Sequence, residues 1–155
     1  MEQIKKPNPY VAPGVIRTKL SISQVNRIVN AKGLEWLMEN IVDTVCTVTE
    51  VAPEKVYSKS RLPAVSEAKL LIRFYMYETL LHLTSMNSMT EFLTKGRNDD
   101  HSIVLRSQKL VKVALEGRDE WAHKITEYVY KIDEQLNQIH VSDESNSSYR
   151  PRRKR

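Results

Sequence analysis

Two short runs of helical periodicity joined by a polar turn, from Ser88 to Val113, constrain this chain most. The stretch reads SMTEFLTKGRNDDHSIVLRSQKLVKV. Ser88 followed three residues later by Glu91 fits a capping box, in which the hydroxyl takes a free amide of the first turn and the carboxylate reaches back. A helix is therefore predicted from about Met89. It stops before Gly96, where K-G-R-N-D-D breaks the apolar pattern and offers a residue that tolerates a left-handed conformation. Asp99 or Asp100 can cap a second helix carrying Ile103, Val104, Leu110, Val111 and Leu115. Helix, tight turn and helix over about 88–115 is the layout of a helix-turn-helix, whose second helix offers its first residues to base edges in the major groove.

The rest of the chain reads the same way. With only four Gly and few alternating patterns, the fold class predicted is all-α. Residues 1–18 contain Pro7, Pro9, Pro13 and Gly14 and form an extended N-terminal arm. Its Lys5, Lys6 and Arg17 are available to phosphate, while Tyr10, Val11 and Val15 are suited to packing on the body. Residues 19–140 form the helical domain. Within it S-x-x-Q at Ser21 opens a helix that ends at Gly33, and Leu34 to Thr47 follows with Leu34, Trp36, Leu37, Ile41 and Val45 on a core face. Pro53 and Glu54 suit the first turn of a short helix over Val51 to Tyr57. Ser66 to Thr84 carries Leu70, Phe74, Tyr77 and Leu81 at helical spacing, widened by Leu71, Tyr75 and Leu80. An extra C-terminal helix, Arg118 to about His140, bears Trp121, Ile125, Tyr128, Ile132, Leu136 and Ile139. That stripe either closes the core or pairs with another chain. Residues 141–155 lack apolar periodicity and are expected to be a disordered basic tail.

The formal charge is +5. Arg150, Arg152, Arg153, Lys154 and Arg155 are five of the 24 basic residues, and without them the basic residues equal the 19 acidic ones in number. Local clustering, not overall charge, must therefore mark a nucleic-acid face. Cys46 is alone, which excludes an internal disulfide, and it continues an apolar stripe as an inert thiol. No apolar run is long enough for a signal peptide or a membrane span. No phosphate-cradling G-x-x-x-x-G-K-[ST] loop is present, and His101, His123 and His140 have no metal-ligand spacing. The chain is expected to have no catalytic residues, metal or cofactor.

The segment from Ser88 to Lys109 resembles, without a gap, the signature of the C-terminal origin-binding domain of the bacterial chromosomal replication initiator DnaA, roughly S-L-P-E-I-G-x-x-F-G-G-R-D-H-T-T-V-x-x-x-x-R/K. Ser88, Glu91, Asp100, His101, Val104 and Lys109 coincide with it, and Met89, Phe92, Ser102 and Leu105 are conservative matches. Upstream, V-A-P-E-K-V-Y-S-K-S-R resembles the family's short helix and basic loop, and the Met76-Tyr77 pair its long helix. The likeness covers about Leu34 to Leu115. Asp99 stands where the family has Arg, Ile103 where it has a second Thr, and Gly96 and Arg97 where it has Phe and Gly. The resemblance implies a Trp-repressor-like or initiator-like helical domain, without the ATPase part, in which Lys59 and Arg61 of the basic loop reach the minor groove.

The expected function is double-stranded DNA binding, with a role in replication or transcription control. Asp100, His101 and Ser102, on the first turn of the second helix, would read bases. Lys59, Arg61, Arg97, Arg106, Lys109 and Lys112 would contact phosphate or the minor groove, and the tail cations would add sequence-independent affinity. The expected location is cytoplasmic, on the nucleoid. The alternative is an assembly protein of a large complex such as a virus particle, using the helical faces, including the 118–140 helix, for self-association or other protein contacts.

Overall fold

The computed structural model describes residues 17–94 and 102–149, with side chains through residue 139. Seven α-helices and no strand occur among the described residues. α1 (Ile22–Lys32) opens with the expected capping box, since the Ser21 hydroxyl accepts from the Gln24 amide at 3.1 Å while Gln24 Oε1 accepts from the Ser21 amide at 2.6 Å. Gly33 serves two helices at once. Its N–H donates to the Val29 carbonyl and its own carbonyl accepts from Leu37, at φ +103 and ψ 154, a conformation open to glycine and costly for other residues.

α2 (Leu34–Thr49) is the expected core helix, with Leu37, Ile41, Val42, Val45 and Cys46 buried. Trp36 and Leu34 reach only the margin of the core. α3 (Pro53–Val56) is one turn with Pro53 in its first positions. α4 (Pro63–Leu80) begins three residues before the predicted Ser66, because Pro63 presets the helical φ and lacks only an amide that would be unpaired there. Its buried side is Val65, Ala68, Leu71, Ile72, Phe74, Tyr75, Met76 and Leu80. The predicted stripe is thus rotated. Leu70 and Tyr77 lie at its edge, and Leu81, beyond the helix, is 44% exposed.

α5 (Met86–Thr94) starts a turn before the predicted Met89. Ser85 caps it by accepting from the Ser88 amide at 3.1 Å, which leaves Ser88 inside the helix. α6 (Ser102–Glu116) buries Val104, Ser107, Val111 and Ala114. Asp99 and Asp100, the predicted caps of this helix, lie outside the described residues. α7 (Glu120–Tyr149) opens at Asp119, whose Oδ1 accepts from the Ala122 amide at 2.7 Å. It runs nine residues past the predicted end, so residues 141–149, expected to be disordered, continue the helix backbone. Adding a residue to an existing helix needs no new nucleus, so a polar segment can extend one without burying apolar surface.

α4 is the centre of the bundle and packs against α1, α2, α3, α5 and α6. α7 closes the other side against α1, α2 and α6, burying Ile125, Val129, Ile132 and Leu136. Ile125, Val129, Ile132 and Leu136 of the last helix's apolar stripe are therefore taken up by the chain's own core, while Trp121 at its start stays exposed. Close approach at the α6–α7 turn depends on Gly117, where an added Cβ would meet the Ala122 Cβ at 2.9 Å.

A buried clasp joins the N-terminal segment to this bundle. Arg17 donates from Nε and Nη2 to both oxygens of Asp133 at 2.8 Å, and from Nη1 and Nη2 to Glu78 at 3.0 and 3.1 Å. Its guanidinium also lies 5.3 Å from the Phe74 ring centroid. The Tyr75 hydroxyl donates to Asp133 Oδ1 at 2.6 Å, with the Val129 carbonyl oxygen 2.9 Å away, and the Asn137 amide donates to the Thr18 carbonyl. Arg17 is therefore an internal residue and not the free phosphate contact its place in the arm suggested. Burial pulls the guanidinium pKa down, but its bonds and charge contacts with Asp133, Tyr75 and Glu78 more than reverse this and hold it above the ordinary value.

Candidate nucleic-acid interface

The loop between α3 and α4 is shaped by its own hydroxyls. Ser58 Oγ donates to the Lys55 carbonyl at 2.6 Å and accepts from the Ser60 amide at 3.2 Å, and Ser60 Oγ in turn accepts from the Leu62 amide at 3.4 Å. Lys69, on α4, reaches across to the Ser58 and Ser60 carbonyl oxygens at 2.8 and 3.0 Å. With its carbonyls drawn inward in this way, the loop leaves Lys59 and Arg61 exposed. Beneath it Tyr57 meets Phe92 of α5 edge to face, with ring centroids 6.3 Å apart. Burial, with the nearby charges of Asp43 and Glu39, pushes the Tyr57 hydroxyl up to about 12.

Between this loop, α4, the end of α5 and the start of α6 lies a groove of about 730 Å³. Lys59, Arg61, Lys69 and Arg73 line it together with Ser58, Ser60, Ser66, Thr94 and Ile103, and among the described residues no carboxylate lines it. Four cations with several hydroxyls suit an anion with many acceptor oxygens, such as a phosphodiester backbone. Chain segments more than forty residues apart meet here, because packing of α4 on α6 sets the basic loop beside the first turn of α6.

A second, shallower cleft of about 380 Å³ adjoins the groove and shares Ser66, Arg73 and Ile103 with it. Glu67, Leu70, Arg106, Ser107, Leu110 and Trp121 complete its lining. On its rim Glu67 pairs with Lys124 at 3.0 Å.

Of the residues expected to bind DNA, the fold gathers Lys59 and Arg61 with the start of α6, where Ser102 is half-buried. Arg106 lines the neighbouring cleft instead. Lys109 and Lys112 are exposed on α6 and line neither cavity. Arg97, Asp100 and His101 lie outside the described residues, as do the tail cations Arg150, Arg152, Arg153, Lys154 and Arg155. Sequence reasoning missed Lys69 and Arg73. Ser66, Lys69 and Arg73 fall at i, i+3 and i+7 along one side of α4, but buried apolar residues nearly encircle the helix, so the spacing alone did not mark that side as facing the loop.

Among the described residues no three His, Cys, Asp or Glu side chains are grouped to hold a metal ion, and no helix is long and apolar enough to cross a membrane. Cys46 is buried, and burial, with the charges of Asp43 and Glu54, pushes its thiol up to about 11. Comparison with known proteins finds no matching family, no similar curated protein and no similar solved structure.

Proposed function

We propose that the protein binds double-stranded DNA, holding backbone phosphates in the groove of Lys59, Arg61, Lys69 and Arg73 while the first turn of α6 approaches base edges. The observation that carries this reading is the groove itself, whose described lining gathers four cations and no carboxylate beside the start of α6. The resemblance of residues 88–109 to the initiator's origin-binding signature supports the same polarity, with Asp100, His101 and Ser102 reading bases. Lys69 has a double part, since it holds the loop through two carbonyls and adds charge to the groove wall. Phosphate contacts supply affinity without sequence information, and base contacts supply preference.

Fluorescence anisotropy with random and selected duplexes, over a series of salt concentrations, tests the proposal. Arg61→Ala and Lys59→Ala should weaken all duplexes alike and each lower the salt slope by about 1, whereas His101→Ala should flatten the preference between sequences by about 1–3 kcal/mol. Unchanged slopes for both groove variants would remove the groove from the reading. A second reading, a component of a large assembly such as a virus particle, is favoured by the apolar side chains exposed where α6 meets α7.

A further inference from the structure

Beside its buried face α6 carries a second side, on which Ile103 packs partly against the core while Leu110 and Val113 are exposed. Ile103, Arg106, Leu110 and Val113 recur at spacings of three, four and three, which places them along one side of the helix. Leu110 is 50% and Val113 66% exposed, and Trp121, in the first turn of α7, is 37% exposed and shares a cleft with Leu110. Three large apolar side chains together on one corner are more than scattered surface hydrophobics require.

The charges around this corner say what fits it. Arg106 and Lys109, both exposed, stand toward its N-terminal end, while Glu116, Asp119 and Glu120, also exposed, outnumber the exposed Arg118 where α6 turns into α7 and leave that end net acidic. Lys109 and Glu116 lie two turns apart on the same flank, and the point midway between them adjoins Val113. A surface cationic at one end, acidic at the other and apolar between is complementary to itself after a half-turn, as a two-fold interface demands. Lys112 falls on the far flank of the helix and takes no part.

We propose that this corner is the docking surface for a second copy of the chain, with α6 antiparallel to its counterpart about a two-fold axis near Val113. Lys109 of each copy then faces Glu116 of the other, Arg106 faces the Asp119–Glu120 pair, and Leu110, Val113 and Trp121 leave water between them. The patch is small, so the dimer is weak and reversible. The proposal does not depend on the DNA reading and is tested without nucleic acid.

The test is sedimentation velocity of the full chain over a concentration series at low and high salt. A monomer–dimer equilibrium weakened by salt is expected, and Val113→Lys should weaken it at least about tenfold, equivalent to about 1.4 kcal/mol. Lys109→Glu and Glu116→Lys should each weaken the dimer, and the double variant, which restores opposite charges across the axis, should recover it. All three positions are exposed, and thermal melts followed by circular dichroism show whether each variant keeps its fold. A monomer at every concentration, a larger assembly, a dimer indifferent to Val113→Lys, or a double variant no better than the single ones would overturn the proposal.

Discussion

Arg17 and Asp133 are separated by most of the chain and meet as a two-pronged pair in which the Asp133 side chain is only 1% exposed. A carboxylate so enclosed is tolerable only while every oxygen has a donor, and here Arg17 and Tyr75 supply them. Asp133→Ala should therefore cost about 3 kcal/mol in urea denaturation, because it removes the two-pronged partner of a largely buried guanidinium and leaves it only Glu78. A loss under about 1 kcal/mol would mean that Glu78 alone satisfies Arg17. A buried thiol and a partly buried phenol set a different, pH-dependent behaviour. Cys46 and Tyr57 are held neutral by burial up to about 11 and about 12, above their usual values of about 8.5 and 10. Groups whose neutral form is favoured by folding contribute fully below their unfolded pKa and lose that contribution as pH rises through the folded one. Urea midpoints should accordingly fall progressively above about pH 9, and Cys46 should resist alkylation at pH 8 until the chain is unfolded.

At the level of the helices, two glycines test two different constraints. Gly33 has open space around its missing Cβ but a backbone at φ +103, whereas Gly117 is limited by the Ala122 side chain. Gly33→Ala should cost about 1–3 kcal/mol in thermal unfolding purely through backbone conformation, since no atom obstructs the added methyl. The helix starts were legible where a local hydrogen-bond pattern specifies them, as at Ser21. They were misread where two local patterns compete. Ser85 and Ser88 both precede helical periodicity, and the one that caps α5 is the one with a full turn of partners after it. The rotated face of α4 has another cause. Its apolar residues nearly encircle the helix, so periodicity alone leaves the inward direction open until α2, α5 and α6 pack around it.

Over the whole molecule, α7 spans 30 residues, about 45 Å, and Leu136 is the last buried one among its described side chains, with Ile139 at the margin. Residues 141–155 have no apolar periodicity in the sequence, so a chain ending at His140 should keep its stability within about 0.5 kcal/mol in urea. Truncation also removes the five cations of Arg150 and residues 152–155, so the salt slope of duplex binding should fall by about 4–5 if each meets a phosphate. Duplex binding that persists after truncation belongs to the body of the protein, and binding that disappears belongs to the tail.

The all-helical class, the order of the elements and the turns at Gly33 and Gly117 follow from the chain itself, because helix periodicity, caps and glycine conformations are decided by residues within a few positions of one another. The clasp around Arg17, the inward side of α4, the groove that recruits Lys69 and Arg73, and the exposed corner of α6 were decided only in three dimensions. Each depends on which helix packs against which, and a cation looks the same in a sequence whether it ends against a buried carboxylate or on the wall of an open groove.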